Sequence, residues 1–135
     1  MYKKVIKYTD YNGIEHEDAF YFNLTKFDLM RMNTEHPGGF EDYINRITRA
    51  MDTKTLVEVF EKIIWDAYGE KDETGLRFVR SKELSEAFSQ TEAYSELMME
   101  LITDDKAAAE FINGIMPKIE PLPQDASESN ILSIS

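Results

Sequence analysis

The residues best suited to chemistry are the two histidines and the acidic residues around the first of them. His16 lies in the run Glu15-His16-Glu17-Asp18, whose imidazole and carboxylates are ligand types for a divalent metal. Successive side chains of a strand alternate between its two faces, so the three acids are unable to converge with His16 on one ion. We therefore interpret this run as polar hairpin surface.

The sequence offers no other catalytic pattern. His36 precedes Pro37 in a helix-breaking turn, and no serine has a supporting histidine. The run Pro37-Gly38-Gly39-Phe40 lacks the Lys-Ser/Thr of a phosphate-binding loop, and Asp10-Tyr11-Asn12-Gly13 lacks the alternating carboxylates of a calcium loop. The absence of cysteine excludes disulfides, thiolate zinc sites and cysteine nucleophiles. We expect no enzymatic activity, no cofactor and no metal site.

Composition favours a cytoplasmic protein. The chain has 135 residues, of which 42% are hydrophobic, which is enough for one packed core. Its 26 acidic and 15 basic residues give a net charge of −11, which disfavours nucleic acid and anionic membranes as partners. No apolar stretch is long enough to cross a bilayer, and the N-terminus lacks the apolar segment of a secretory signal. We interpret the acids as solvated surface, with a basic partner or DNA mimicry as the alternatives.

The elements that would position any site follow from periodicity and turn signals. Residues Lys3–Thr9 and Glu15–Phe22 carry β-branched and aromatic side chains, and Asn12-Gly13 between them predicts a β-hairpin over residues 3–22. An isolated hairpin is marginally stable in water, so this one must pack on helices or pair with another chain. Apolar residues at helical spacing predict helices over residues 25–116. The predicted fold is α+β, mainly α, with the hairpin followed by a compact bundle of five or six short helices.

Caps and helix breakers set the bounds of the predicted elements. The third helix is predicted to end at Tyr68-Gly69, where glycine suits a left-handed C-cap. Residues Glu70–Arg80 are predicted to form a polar loop or a short hairpin turning at Thr74-Gly75. The polar, proline-containing residues 118–135 are predicted to be a disordered tail after a single globular domain, 1–117. The predicted helices are 25–36, 40–51, 53–67, 82–88, 91–103 and 106–115.

Apolar residues outside the predicted core are the candidates for binding another protein. Trp65, the only tryptophan, falls opposite the helix stripe centred near Phe60 and Ile63. It either packs under the neighbouring loop or hairpin or forms an exposed anchor. On the fifth helix Met99 points away from the face of Tyr94, and methionine suits adaptable contacts. Core packing is the alternative use of each residue. The candidate protein-binding residues are Trp65, Tyr94, Met98, Met99, Ile102 and Met116.

Several longer segments resemble a known family. They are Phe20–Lys26, Ala67–Lys71, Phe88–Leu97 and Ala107–Pro117, which read FYFNLTK, AYGEK, FSQTEAYSEL and AAAEFINGIMP. These segments are similar to the tail assembly chaperones of long-tailed phages. The similarity runs in matching order over about residues 1–118, which makes it more specific than any single motif.

The resemblance implies a non-catalytic protein that binds the aggregation-prone tape measure protein and keeps it soluble until tail tube subunits polymerise around it. It also implies that a longer, frameshifted product recruits the tail tube protein. Such a protein would act in the host cytoplasm and be missing from the mature virion. A homo-oligomer is left open by the sequence. The alternatives are a structural virion component of the tail or connector, and an acidic inhibitor that mimics DNA.

Overall fold

The fold begins with the predicted hairpin. In the structure, a computed structural model that describes residues 1–50 and 52–117, strands β1 (Tyr2–Thr9) and β2 (Glu15–Phe22) pair antiparallel along their whole length. Gly13 in the turn has a φ of 83°, a left-handed conformation that glycine adopts without steric cost. The hairpin prediction from the Asn-Gly pair is confirmed.

Two further strands extend the sheet. β3 (Tyr68–Lys71) pairs with β2, and β4 (Phe78–Val79) pairs with β3, so the order is β1-β2-β3-β4. The predicted left-handed C-cap at Gly69 is wrong, because Gly69 lies in β3 opposite Tyr21 and its φ is not positive. A Cβ at Gly69 would lie 2.5 Å from the backbone oxygen of Val79, so close strand approach requires the glycine. The short-hairpin alternative for this segment is confirmed.

Six helices make up most of the rest of the described chain, and polar N-caps begin five of them, all except α2. Thr25 and Asp28 form a reciprocal capping box: the Thr25 hydroxyl accepts from the Asp28 N–H, and the Asp28 carboxylate accepts from the Thr25 N–H. The Asp104 carboxylate accepts from the backbone N–H groups of Lys106 and Ala107. The helices are α1 (Lys26–Glu35), α2 (Phe40–Ala50), α3 (Thr53–Ala67), α4 (Lys82–Ser89), α5 (Glu92–Thr103) and α6 (Asp105–Ile115).

The centre of the core is an aromatic cluster between the sheet and helices α4, α5 and α6. Phe22 is fully buried, and its ring centroid lies 5.2 Å from that of Phe111 and 5.9 Å from that of Phe88. Tyr68 stacks on Phe88 at 4.4 Å. The hairpin is therefore stabilised by packing on helices, as its marginal intrinsic stability requires. The aromatic cluster consists of Tyr2, Tyr8, Phe20, Phe22, Tyr68, Phe88, Tyr94 and Phe111.

A buried ion pair fixes the start of α1 against the sheet and α3. Asp28 is only 4% exposed, and its carboxylate accepts a 2.7 Å hydrogen bond from the Arg80 guanidinium. Arg80 also donates to the backbone oxygens of Asn23 and Asp66. Burial alone would raise the pKa of Asp28, but Arg80 and the hydrogen bonds from Thr25 outweigh burial and hold the pKa below its ordinary value.

The α+β, mainly α, fold class is confirmed. The predicted tail, residues 118–135, lies outside the described residues, as does Met51 at the predicted end of the second helix. Among the described residues, no helix is both long enough and apolar enough to span a bilayer.

Candidate functional site

The first candidate for chemistry, His16, lies in a polar cluster beside the hairpin turn. Its Nε2 is 2.7 Å from Oδ2 of Asp10, and its half-buried ring stacks on Tyr8 at 5.1 Å. Tyr8 donates a 2.6 Å hydrogen bond to Asp18, and this bond, helped by burial, raises the pKa of Tyr8 to about 12. No three His, Asp or Glu side chains among the described residues are grouped to hold a metal ion. The cluster stabilises the hairpin turn.

Trp65 lies beside Tyr94, half-buried, where α3 contacts α5. The Tyr94 hydroxyl is buried beside the Trp65 side chain. Burial raises the pKa of Tyr94 and the nearby Glu61 carboxylate adds to the effect, whereas the Trp65 side chain acts in the opposite direction. Met98 and Ile102 follow Tyr94 at intervals of four residues and also pack, half-buried, against the core. These four predicted residues are therefore placed on two neighbouring helices.

The other two predicted binding residues lie elsewhere. Met99 is 61% exposed, on the α5 surface that points away from the core. Met116 follows the end of α6, packs partly against the core and borders a depression shared with Leu29 and Gly39. The structure thus separates Met99 and Met116 from the group around Trp65, and a binding role for any of the six stays a prediction.

A more apolar depression lies between α1, α2 and α3, at residues that the sequence placed in the core or in a turn. Its cavity volume is about 260 Å³. Val59 and Ile63 of α3 are buried beneath it, and Tyr43 of α2 stacks on His36 with 4.0 Å between ring centroids. Met32 of α1 gives the depression an adaptable apolar side chain. We call this depression the α2 groove and define it by Met32, His36, Phe40, Tyr43, Val59 and Ile63.

Acidic side chains border the α2 groove. Glu35 and Glu58 line its rim, and neither forms an ion pair within the described part of the chain. Lys62 on the same rim is already paired with Asp66 at 3.0 Å. An apolar groove with unpaired carboxylates at its rim is complementary to a ligand that has an apolar face flanked by basic groups.

Helix α2 packs on two neighbouring helices and is bordered by cavities. Its main neighbours are α1 and α3, and among its described side chains only Phe40 and Ile44 are buried. A second cavity of about 300 Å³ lies on its other side, where Ile44 lies near Phe60 and Ile112. In the sequence, the signal for the position of α2 is the Gly38-Gly39 pair before an amphipathic helix. From the sequence alone, that pair indicated only a helix break. Cavities therefore border α2 on two sides.

Comparison with known proteins identifies a family. A family model described as phage tail assembly chaperone matches residues 1–128 of the chain. No curated protein and no solved structure matches the chain. The matched range includes every residue described above, so the aromatic cluster and the α2 groove both lie within it.

Proposed function

The chain belongs to the phage tail assembly chaperone family, and from this premise we propose that it binds the tape measure protein and keeps that protein soluble during tail assembly. A tail assembly chaperone acts on other proteins of the tail. In this proposal the contribution of the chain is binding, without catalysis. A long helical partner that has not yet been enclosed by the tail tube would expose apolar helix faces, which are the surfaces that need cover.

The observation that carries this proposal is the α2 groove. Helix recognition commonly places apolar side chains of an amphipathic helix into an apolar groove, and basic groups beside that face would meet Glu35 and Glu58. The net charge of −11 supports the same role, because a strongly charged carrier resists association of the complexes with one another.

The proposal includes several finer points. A partner that covers more than the groove is proposed to make additional contacts. These contacts would be with Trp65, with its neighbours Tyr94, Met98 and Ile102 on α5, and with Met99 and Met116. A longer, frameshifted product is proposed to recruit the tail tube protein. We propose that the protein works in the host cytoplasm and is missing from the finished virion.

Co-expression with the tape measure protein of the same phage tests the main point. We expect the tape measure protein in the soluble fraction when the chain is present and in the pellet when it is missing. Glu58→Arg on the groove rim should reduce the soluble amount, while Glu86→Arg on exposed α4 surface, as the matched control, should not. Equal precipitation with and without the chain would contradict the proposal.

Infected cells provide a second test. The chain should co-purify with the tape measure protein before tails are complete, and mass spectrometry of purified virions should not detect it. Its presence in virions in amounts comparable with tail proteins would contradict a role limited to assembly.

A further inference from the structure

Among the side chains that the structure describes, two helices expose large apolar groups to solvent. On α1, Phe27 and Met30 are 67% and 63% exposed, although Leu29 and Met32 already supply the apolar face that packs on the core. On α5, Met99 is 61% exposed. A helix that carries apolar residues on both faces is commonly covered on both. These two outward faces are therefore candidates for contact with another protein.

We propose that the two faces bind each other between copies of this chain, so that the α1 face of one copy contacts the α5 face of the next. The inference goes beyond the proposed function, because it concerns the free chain before any tape measure protein is bound. The residues of each face lie along one stripe of the helix, at intervals of three or four residues. The α1 face is defined by Lys26, Phe27, Met30, Arg31 and Thr34, and the α5 face by Glu92, Glu96, Met99 and Thr103.

The surroundings of the α1 face are basic. Arg31 connects this face to a depression between α1, α3 and α4, because its guanidinium carbon lies 5.5 Å from the Phe27 ring centroid and its side chain also lines the depression. Lys26 and Lys82 form no ion pair within the described part of the chain. In a chain with a net charge of −11, this region therefore has a local excess of positive charge. The basic residues of the lining are Arg31, Lys62, Arg80 and Lys82, and the acidic ones are Asp28, Glu35 and Asp66.

The α5 face has the opposite charge. Helix α5 carries Glu92, Glu96 and Glu100 and no basic residue, whereas each of the other five helices contains both acidic and basic residues. Glu100 is paired with Lys4 of β1 at 3.0 Å, but Glu96 forms no ion pair within the described residues. The two exposed apolar faces are therefore flanked by charges of opposite sign, which favours their association.

The same charges disfavour contacts between like faces. Two α1 faces would bring Lys26 and Arg31 against their counterparts, and two α5 faces would bring glutamates together. Contact between unlike faces instead surrounds an apolar centre with opposite charges, and there Met99 packs on Phe27, since methionine sulfur packs favourably against aromatic rings. Such a contact is heterologous, so each pair of copies keeps one free α1 face and one free α5 face, and association continues unless a ring closes.

Analytical ultracentrifugation of the purified chain alone tests the association. Because each face is one helix wide, the contact is at the small end of specific interfaces, and we expect a weak, concentration-dependent complex. Its dissociation constant should rise about threefold or more between roughly 50 and 500 mM NaCl, because salt screens opposite charges. A chain that stays monomeric up to about 1 mM, where even a millimolar complex is populated, would overturn the proposal. Association that strengthens with salt would also overturn it.

One variant on each face tests which surfaces meet. Phe27→Gln and Met99→Gln each remove an apolar contact from exposed helix surface without adding charge, so both should stay folded. Each variant alone should be monomeric at concentrations where the parent chain associates. A mixture of the two should form a one-to-one dimer and no larger species, because one intact α1 face and one intact α5 face remain. Leu76→Gln is the matched control and should associate like the parent chain, since Leu76 is 87% exposed in the loop between β3 and β4, outside both faces.

The same variants identify the alternative contacts. If Phe27→Gln abolishes association and Met99→Gln does not, α1 faces bind each other and the proposal is wrong. The reverse result would indicate contact between α5 faces, which contradicts it equally. If both variants still associate, other surfaces join the copies. A mixture that stays monomeric, although circular dichroism shows both variants folded, would also overturn the proposal.

Discussion

Two sides of this molecule are packed in contrasting ways. On the hairpin side, which comprises β1, β2, α5 and α6, the aromatic cluster brings ring centroids such as those of Phe22 and Phe111 to 5.2 Å. On the α2 side, which comprises α1, α2 and the α3 surface between them, the α2 groove is lined by apolar side chains such as Met32 and Val59, whereas the depression beside β1, β2 and α5 is lined mainly by charged and polar side chains. A close-packed interior maintains the fold, whereas an apolar depression with charged groups at its rim is typical of an interaction surface. The contrast suits a chaperone, which has to stay folded while one surface binds a partner.

The aromatic residues show the same contrast. Rings on the hairpin side belong to several strands and helices, and Phe22, Phe88 and Phe111 among them are buried. On the α2 side His36, Phe40 and Tyr43 form a separate group, and the contact between His36 and Tyr43 is at the edge of an open groove. Apolar area left partly uncovered beside a charged rim is typical of an interaction surface.

The strongest test of the contrast compares two buried phenylalanines. Phe22→Ala on the hairpin side should cost about 3–5 kcal/mol, because a cavity would form among closely packed rings. Phe40 on the α2 side is also buried but borders an existing cavity, so Phe40→Ala should cost less than Phe22→Ala, at or below about 3 kcal/mol, the lower end of that range. Urea unfolding followed by circular dichroism measures both losses. Equal losses would remove the proposed difference between the two sides.

The next test concerns Asp28, which connects the α2 side to the sheet. Asp28→Asn should cost roughly 2–3 kcal/mol at neutral pH, because Arg80 would lose its charged partner. The folded-state pKa of Asp28 is lowered, so its stabilisation is present above the unfolded value near 4 and is lost as pH falls through the folded value. Urea unfolding between neutral and acidic pH should therefore show a flatter pH dependence for Asp28→Asn.

Asp42→Asn is the control for that test, since Asp42 is exposed and pairs only within α2. It should change neither the stability at neutral pH nor the acid dependence beyond about 0.5 kcal/mol. A pH dependence as steep in Asp28→Asn as in the parent chain would show that other carboxylates, and not Asp28, account for the acid sensitivity.

The sequence predicts the parts of this fold that depend on local signals. Asn12-Gly13 fixed the hairpin turn, and cap residues such as Thr25 and Asp104 placed helix starts to within a residue or two. Gly69 shows the limit of local reasoning. A glycine after a helix suits a C-cap, but here β3 pairs with β2, and that contact joins residues far apart in sequence.

The candidate site is less predictable for a related reason. Periodicity identifies Phe40, Tyr43 and Ile44 as apolar positions of one helix, but it does not show how tightly that helix packs on α3. Cavities depend on how side chains from several elements fit together, and no local pattern records them. The prediction for Trp65 had the same limit: the sequence left two environments open, and the structure places it half-buried beside Tyr94.

A smaller effect is expected at Gly114, where α6 meets the hairpin. A Cβ there would overlap the ring of Tyr2, so Gly114→Ala should destabilise the chain by about 1–2 kcal/mol through overpacking. In an open helix the same change would stabilise by up to about 1 kcal/mol, so the sign of the change reports the packing. Thermal unfolding measures it, and Asn113→Ala on the exposed adjacent position is the control. If Gly114→Ala instead stabilises the chain, then α6 and the Tyr2 ring are not closely packed at this position.

The smallest expected effect tests whether ion pairs, rather than packing, account for the stability of the hairpin side. Lys4 of β1 and Glu100 of α5 form a 3.0 Å pair whose side chains are 22% and 41% exposed. A double-mutant cycle with alanine should give a coupling of about 0.5 kcal/mol that weakens in high salt, because solvent screens partly exposed charges. The more exposed pair of Lys7 and Glu17, at 3.7 Å, should give no measurable coupling. A Lys4–Glu100 coupling of about 2 kcal/mol or more would contradict a hairpin side held mainly by its aromatic cluster, since exposed pairs rarely contribute so much.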